Sequence, residues 1–209
     1  MNTQQAYNNW SSQYDSNQNK TRDLEAEALQ SALNGLTINR HLELGCGTGK
    51  NSAWLSKKAI DLTAVDFSEG MLAIARDKVT ATNTRFVQAD LNGDWHFATG
   101  LYDCINFSLV LEHFDDLQPL FKKAAALLQP GGYLYAGELH PFKQYSGSKA
   151  RFDTEAGTQV VECYDHHVSG FTNAAKAAGL QLISIDEYFD GDERKTMPRI
   201  LAMLFRKDA

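Results

Sequence analysis

Apolar and polar residues alternate along the chain in two periods that predict strands and helices in turn. Short apolar runs predict strands over residues 41–44, 62–65, 85–89, 102–107 and 133–139. Between these runs, apolar residues recur every three or four positions, as on one face of an α-helix. Strands that alternate with helices of this length predict parallel pairing through right-handed crossovers, with helices on both faces of the sheet.

The last part of the chain departs from this alternation. Residues 180–189 and 199–205 have the composition of two strands, with a charged loop and no helix between them. Consecutive strands joined in this way pair antiparallel. Because the chain has four prolines and no low-complexity linker, we expect a single α/β domain over residues 1–209, with a doubly wound, mostly parallel sheet.

Two segments lie outside this pattern. Tyr7, Trp10 and Tyr14 are spaced three and four apart in a polar stretch, which predicts a short helix that docks on the domain. Together with the amphipathic helix that follows, it forms an expected helical cap over about residues 2–34. Residues 140–167 show no clear period, and their aromatic content favours a lid over a free loop.

The strongest chemical signal is a predicted strand followed by glycines at alternate positions, Gly45, Gly47 and Gly49. Glycine is needed where the backbone turns sharply and a ligand approaches it closely, and the start of the next helix adds a positive potential. Asp66 follows Gly45 by 21 residues and ends the second predicted strand, and Asp90 follows the third. Dinucleotide-type folds place an acid on ribose hydroxyls at about this offset and bind ligands at the carboxyl ends of the strands.

The residues around the glycines narrow the choice of ligand. The NAD fingerprint needs glycine at position 50, where the chain has Lys50. The phosphate-binding loop needs glycine at 44 and serine or threonine at 51, where the chain has Leu44 and Asn51. Glu43 would repel a pyrophosphate but suits a cationic ligand. S-adenosylmethionine carries an ammonium, a sulfonium and a ribose, and it has no phosphate.

Five motifs, in order and spacing, resemble those of class I S-adenosylmethionine-dependent methyltransferases. They are LELGCGTG, AVDFSEGMLAIARDK, RFVQADL, YDCINFSLVLEHF and LLQPGGYLYAGE, and the resemblance spans about residues 7–206. Within the class, the chain is similar to the small-molecule branch that includes ubiquinone and menaquinone C-methyltransferases. The resemblance implies a Rossmann-like, seven-stranded sheet whose last strand is antiparallel, in agreement with the two terminal strands inferred above.

The resemblance also implies S-adenosylmethionine as cofactor, S-adenosylhomocysteine as product, and a set of cofactor-binding residues. Those expected near the methionine portion are Tyr14, Glu43, Gly45, Cys46, Gly47, Gly49, Asn106 and Phe107. Those expected near the ribose and adenine are Asp66, Phe67, Met71, Asp90 and Leu91. Asp66 would bind both ribose hydroxyls, and Tyr14, in a Tyr14-Asp15 pair, would close over the methionine end. The sequence after Asn106 lacks the Pro-Pro-Tyr of amino-group methylases, which argues against adenine or glutamine N-methylation.

Histidines and one glutamate are candidates for the acceptor side of the site. Methyl transfer from a sulfonium is an in-line displacement, and a base is needed only where the acceptor must lose a proton. His113 and His140 are the candidate bases, because histidine titrates near neutral pH. Glu138, His166 and His167 are candidate substrate contacts, with core packing, helix capping or a salt bridge as the alternatives. Their spacing does not indicate a metal site.

Composition and charge argue against other classes of protein. The net charge is −6 without a long basic run, which disfavours nucleic acid as a partner. Cys46, Cys104 and Cys163 are far apart and fit a reducing cytoplasm rather than disulfides or zinc. The N-terminal region is polar, and no apolar run is long enough to cross a membrane.

Three functions remain open. The leading hypothesis is a cytoplasmic enzyme, monomer or homodimer, that methylates oxygen, nitrogen or carbon of a small molecule. The alternatives are a methyltransferase acting on RNA or protein, and a non-catalytic protein that binds S-adenosylmethionine.

Overall fold

The structure, a computed structural model, describes residues 3–14, 19–148, 151–154, 157–160, 162–191 and 194–209. Its strands are β1 (Ile38–Leu44), β2 (Ala59–Asp66), β3 (Thr84–Gln88), β4 (Tyr102–Ser108), β5 (Leu128–Leu139), β6 (Arg151–Thr154), β7 (Gly157–Val160), β8 (Leu180–Tyr188) and β9 (Ile200–Lys207). Its helices are α1 (Thr3–Tyr14), α2 (Lys20–Leu33), α3 (Ser52–Lys58), α4 (Glu69–Lys78), α5 (Gln118–Leu127), α6 (Pro141–Tyr145) and α7 (Val168–Ala177).

Seven of these strands form one sheet in the order β3-β2-β1-β4-β5-β9-β8. The five strands from β1 to β5 are parallel to one another, and β9 pairs antiparallel with both β5 and β8. The fold predicted from the alternation and from the terminal pair of strands is therefore confirmed. The strand order reverses between β1 and β4, and such a switch point opens a crevice at the carboxyl ends of the strands.

Helices cover both faces of the sheet with separate apolar clusters. On one face, α2 and α3 pack Leu29, Leu33 and Leu55 against the strands. On the other face, α5 and α7 bury Phe121 and Phe171. Burying a side chain of this size contributes about 1.5–3 kcal/mol each, so the sheet is a rigid platform for loops at its carboxyl edge.

A local hydrogen bond determines where helix α5 begins. The Asp116 carboxylate accepts the Gln118 N–H and holds the preceding residues in a turn, so the helix begins at Gln118. Between residues 140 and 167, the short helix α6 and the hairpin β6-β7 were not predicted.

Helix α1 docks on the domain, as the aromatic spacing predicted. The side-chain oxygen of Asn8 accepts hydrogen bonds from Ser68 Oγ (2.6 Å) and from the Gly70 N–H at the start of α4. Gln4 donates to the Phe67 carbonyl. Asp15, which the sequence paired with Tyr14, lies outside the described residues, as do residues 149–150, 155–156 and 161 of the expected lid.

The helices of the described ranges do not include one with the length and apolar character that a membrane crossing requires.

Candidate active site

A cavity of about 330 Å³ opens at the carboxyl ends of β1, β2 and β4, beneath α1. The predicted site residues that line it are Tyr14, Glu43, Gly45, Cys46, Gly47, Asp66, Phe67, Met71, Asp90, Leu91 and His113. The predicted residues that lie outside its lining are Gly49, Asn106, Phe107, Glu138, His140, His166 and His167. The structure therefore gathers most of the predicted cofactor residues and one of the four histidines.

The turn after β1 follows the floor of the cavity closely. The N–H groups of Gly45 and Cys46 both donate to the Val65 carbonyl, at 2.8 and 2.9 Å, which ties the turn to the end of β2. Gly45 has a φ of 81°, and a Cβ built on it would lie 2.6 Å from Val110 Cγ2. Only glycine fits there, because both the left-handed backbone and the close packing exclude a side chain.

The Asp66 carboxylate is held at the cavity by two backbone donors. Its Oδ2 accepts the Gly47 N–H at 2.8 Å, and its Oδ1 accepts the Ser68 N–H at 2.9 Å. Burial raises the pKa of Asp66, and these hydrogen bonds oppose that rise. Each oxygen retains a further lone pair, so the carboxylate can accept two more hydrogen bonds from a ligand.

Two further carboxylates lie at the same end of the cavity. Glu43 accepts a hydrogen bond from Ser52 Oγ at 2.5 Å, and Glu25, on α2, accepts one from Asn51 Nδ2 at 2.8 Å. Burial, opposed by the Ser52 hydrogen bond and supported by the charges of Glu25 and Asp66, raises the pKa of Glu43 from 4.5 to about 8. Burial also raises the pKa of Glu25, to about 7. A cation bound beside these acids would stabilise their ionised forms.

We expect the unliganded protein to lose stability as the pH rises from about 4.5 to about 8. Glu25 and Glu43 keep their protons in the folded state over this window, whereas the unfolded chain releases them near pH 4.5. Where the folded state binds more protons, the free energy of unfolding falls as the pH rises. Thermal unfolding at constant ionic strength measures this slope.

Glu43→Gln is expected to flatten the slope, because glutamine does not titrate. Glu27→Gln changes an exposed glutamate on α2 and serves as the matched control. If the stability of Glu43→Gln fell with pH as steeply as that of the wild type, Glu43 would not be a source of the pH dependence.

Glu138, a candidate substrate contact in the sequence analysis, holds the turn after β4. Its Oε1 accepts the N–H groups of Val110 and Leu111, at 3.1 and 2.9 Å. These bonds stabilise a turn in which Leu109 has a φ of 53°, an uncommon value for a non-glycine residue. Leu109 and Val110 line the cavity, so Glu138 shapes the site through the backbone.

Other predicted residues have structural partners. Asn106 is buried and accepts a hydrogen bond from His41 Nε2 at 2.7 Å. Burial lowers the pKa of His41 to about 4, and this hydrogen bond opposes that fall. His140 caps α6 and contacts Glu187, while His166 bonds the Phe114 carbonyl.

The remaining predicted residues outside the lining also support neighbouring elements. His167 bonds the Tyr145 hydroxyl at 2.6 Å. Gly49 packs on α4, where its Cβ would lie 3.1 Å from that of Ala75. Phe107 is fully buried in the core and stacks on Phe121.

The far side of the cavity is formed by the ends of β2 and β3. Met71 is buried in α4 and faces the cavity next to Phe67. Asp90 accepts hydrogen bonds from the backbone and side chain of Asn92, in an Asx-type turn. Leu91 completes this mostly apolar wall.

Sequence reasoning missed further lining residues. They are Gln4, Tyr7, Arg22, Glu25, Thr48, Lys50, Asn51, Ser68, Asn92, Leu109, Val110 and Phe114. Arg22 donates to the Tyr14 carbonyl at 2.6 Å and lies 4.0 Å above the Tyr14 ring. The spacing of Arg22 and Glu25, three apart on an amphipathic helix, was the available signal that both face one side.

The residues present fit S-adenosylmethionine. The turn at Gly47 is open, since a Cβ there would meet nothing within 4 Å, so a ligand can approach the backbone. Asp66 offers acceptors for a pair of hydroxyls, and the buried acids Glu25 and Glu43 match a cationic ligand. This sheet order, with a glycine turn after β1 and an acid ending β2, agrees with the resemblance to class I S-adenosylmethionine-dependent methyltransferases.

Comparison with known proteins agrees with this class. A family described as "Methyltransferase domain" matches residues 42–136. A ubiquinone biosynthesis O-methyltransferase of Bordetella avium is 30% identical over 76% of this chain and 68% of its own length. An uncharacterized methyltransferase of Emericella nidulans is 25% identical over 97% of this chain and 84% of its length. The chain belongs to the S-adenosylmethionine-dependent methyltransferase family, and its cofactor is S-adenosylmethionine.

A solved complex of DhpI with SAM and HEP has a similar structure. The TM-score is 0.77 at 25% identity, over 97% of this chain and 94% of that protein. Against two other curated methyltransferases, the match spans less than half of the relative's length, 46% and 45%.

Proposed function

We propose that this methyltransferase acts on a small-molecule acceptor by in-line displacement. The observation that carries the proposal is the cavity of about 330 Å³, whose lining includes Gln4 and Tyr7 of α1 as well as His113 and Phe114 after β4. Ligand pockets for small molecules start at about 300 Å³ and are mostly apolar with a few placed polar groups. The net charge of −6 also disfavours an RNA acceptor, which would favour a basic rim.

The chain's own residues would hold the cofactor in three parts. The Asp66 carboxylate would accept hydrogen bonds from both ribose hydroxyls. Phe67, Met71, Leu91 and the turn at Asp90 would enclose the adenine, as the family resemblance implies. The apolar side chains among these lining residues support this assignment, because they can pack against the faces of an aromatic ring.

The methionine end would lie along the glycine turn. The carboxylates of Glu25 and Glu43 would stabilise its positive charge. Arg22, which faces the cavity from α2, would pair with its carboxylate group. Tyr14 carries the Arg22 guanidinium over its ring and so orients it.

The protein's contribution to the reaction is position and exclusion of water. When bound, S-adenosylmethionine supplies an activated methyl group on a sulfonium. The rigid turns after β1 and β4 would hold the donor, and α1 with His113 and Phe114 would hold the acceptor in line with it. Holding two reactants in such a geometry is worth up to about 7–11 kcal/mol of the barrier.

We expect S-adenosylhomocysteine to raise the melting temperature and NAD to leave it unchanged. At a concentration of 100 times its dissociation constant, a ligand stabilises the folded state by about 2.7 kcal/mol. For a chain of this length, that corresponds to about 5–10 °C. Stabilisation by NAD alone would contradict the cofactor site described above.

A screen of acceptors with methyl-labelled cofactor tests the reaction itself. Transfer of label to a small molecule, with equimolar S-adenosylhomocysteine, supports the proposal. Transfer only to protein or RNA would support the second candidate. Cofactor binding without transfer to any acceptor would favour a non-catalytic protein. Cys46, Cys104 and Cys163, all among the described residues, form no disulfide, which is compatible with the proposed cytoplasmic location. A monomer or homodimer stays a prediction.

A further inference from the structure

Tyr7 and His113 form a hydrogen-bonded pair in the lining of the cavity. The Tyr7 hydroxyl lies 2.8 Å from His113 Nε2, and both residues line the cavity. The Tyr7 ring is held on two sides. It stacks on Trp10, with the ring centroids 5.7 Å apart, and lies edge-on to the His113 ring, with the centroids 5.3 Å apart. Because His113 belongs to the 3-10 turn after β4 and Tyr7 to α1, docking of the helix creates the pair.

The partners of His113 determine which atoms carry protons. Its Nδ1 lies 3.3 Å from the Glu162 carbonyl oxygen, which can only accept a hydrogen bond. In the neutral imidazole, Nδ1 therefore carries the hydrogen and Nε2 has the free lone pair. It follows that the Tyr7 hydroxyl donates to Nε2. The lone pairs of Tyr7 Oη then remain available as acceptors.

We propose that Tyr7 is the catalytic residue that contacts a hydroxyl group of the acceptor, and that the Tyr7–His113 pair takes up the proton of that hydroxyl. The inference rests on the proposed small-molecule methyltransferase function and narrows its acceptor to the class of alcohols and phenols. A neutral hydroxyl is a poor nucleophile and needs a base in the transition state, whereas a neutral amine does not.

The proposed step balances in atoms and charge. The acceptor oxygen forms a bond to the methyl carbon, and the electron pair of the carbon–sulfur bond returns to sulfur. The hydroxyl proton of the acceptor passes to Tyr7 Oη while the Tyr7 proton passes to His113 Nε2. Tyr7 ends neutral, His113 ends as the imidazolium, and the imidazolium releases its proton to solvent after the products leave.

The surroundings of the pair support these protonation states. Burial lowers the pKa of His113, opposed by the hydrogen bond to the Glu162 carbonyl, so the imidazole is neutral at neutral pH. Burial raises the pKa of the Tyr7 hydroxyl, which therefore keeps its proton. The titratable groups that face the pair are Tyr14, Glu112, Cys163 and Asp66. The negative charges among them would stabilise a transient imidazolium.

Tyr7→Phe removes the hydroxyl and keeps the ring that stacks on Trp10. We expect kcat with a hydroxyl acceptor to fall about 100-fold, while calorimetry shows less than about threefold change in S-adenosylhomocysteine affinity. Tyr133→Phe is the matched control, since Tyr133 lies on β5 beneath Arg206 and outside the cavity lining. It is expected to retain wild-type kcat. Catechol and 4-nitrocatechol serve as hydroxyl probes, and the variant should lose less activity with the more acidic 4-nitrocatechol.

A second measurement does not depend on turnover. In an NMR titration, the pKa of His113 is expected to rise in Tyr7→Phe, because the neutral imidazole loses its donor, and to stay unchanged in Tyr133→Phe. An unchanged His113 pKa in Tyr7→Phe overturns the proposal even if neither catechol is methylated. The proposal is also overturned if Tyr7→Phe has the wild-type kcat, or if the methyl label is found on nitrogen or carbon of an acceptor. If the wild type does not bind S-adenosylhomocysteine, the proposed function itself fails, and calorimetry separates that result from failure of the Tyr7 assignment.

Discussion

Asp66→Ala is expected to weaken the binding of S-adenosylhomocysteine at least about 100-fold. Hydrogen bonds to a charged group contribute about 1.5–3 kcal/mol each, and the proposed site gives Asp66 two of them, to the ribose hydroxyls. The variant also frees the N–H groups of Gly47 and Ser68, which the carboxylate holds at 2.8 and 2.9 Å, so the two turns lose their common anchor. Isothermal calorimetry measures the affinity directly.

The same strand provides the control for Asp66. Asp61 also lies on β2, but it is half exposed and pairs with Arg40 at 3.1 Å, outside the cavity lining. Asp61→Ala should leave the affinity unchanged, and Asp66→Asn should fall between wild type and Asp66→Ala because one oxygen acceptor remains. If Asp66→Ala bound as tightly as Asp61→Ala, the ribose assignment would be wrong.

The parts of the site that the sequence predicted are those in which a short segment determines its own geometry. The strand, turn and helix around Gly45 and Gly47 are local, and Asp66 is positioned by the register of β2 against β1. Once parallel pairing is assumed, the carboxyl ends of these strands must meet at one edge. The predicted sheet was confirmed for the same reason.

Some of the residues that were missed come from an element whose docking has no local signature. Arg22 and Glu25 face the cavity because α2 packs on β5 and β9. The hydrogen bonds of Glu138 to the turn after β4 join residues that are 27 and 28 positions apart in the chain. The hairpin β6-β7 lies in a stretch of the sequence with no clear period.

The histidines show that residue type alone does not place a side chain at the cavity. His140, a candidate base, caps α6, and His166, a candidate substrate contact, bonds the Phe114 carbonyl; both lie outside the cavity lining. His113 differs from them in position rather than in type. Its location after β4, at the switch point of the sheet, is what brings it to the cavity.

Acidic charge and a cationic cofactor are linked in this site. Glu25 and Glu43 are buried with few compensating donors, which is why their pKa values are raised in the unliganded protein. A buried acid that is protonated costs less than an unpaired buried charge. Without ligand, the two acids are therefore protonated and uncharged. When they ionise, their negative charges stabilise a bound cation, so we expect binding of the cationic cofactor to release protons from Glu25 and Glu43.

Gly45→Ala is expected to destabilise the protein by about 3 kcal/mol. Two causes contribute, backbone strain and a steric contact, and substitutions at two other glycines measure them separately. A left-handed backbone costs a non-glycine residue about 1–2 kcal/mol, and forcing an extra carbon into a packed site costs about 1–3 kcal/mol. At Gly45 both apply, since φ is 81° and the new Cβ would lie 2.6 Å from Val110 Cγ2. For a chain of this size, the melting temperature should fall by about 10 °C.

Gly47→Ala and Gly170→Ala isolate the two contributions. Gly47 has a φ of 54° and open space around its Cβ, so alanine there should cost only the backbone strain, about 1–2 kcal/mol. Gly170 lies in the first turns of α7 with no positive φ and no neighbour within 4 Å of a Cβ, so alanine should be neutral or slightly stabilising. Thermal and urea unfolding of the three variants should rank Gly170→Ala above Gly47→Ala and Gly47→Ala above Gly45→Ala. Equal melting temperatures of the Gly45 and Gly47 variants would show that the contact with Val110 relaxes at no cost. The tight packing between the turns after β1 and β4 would then not determine the shape of the cavity.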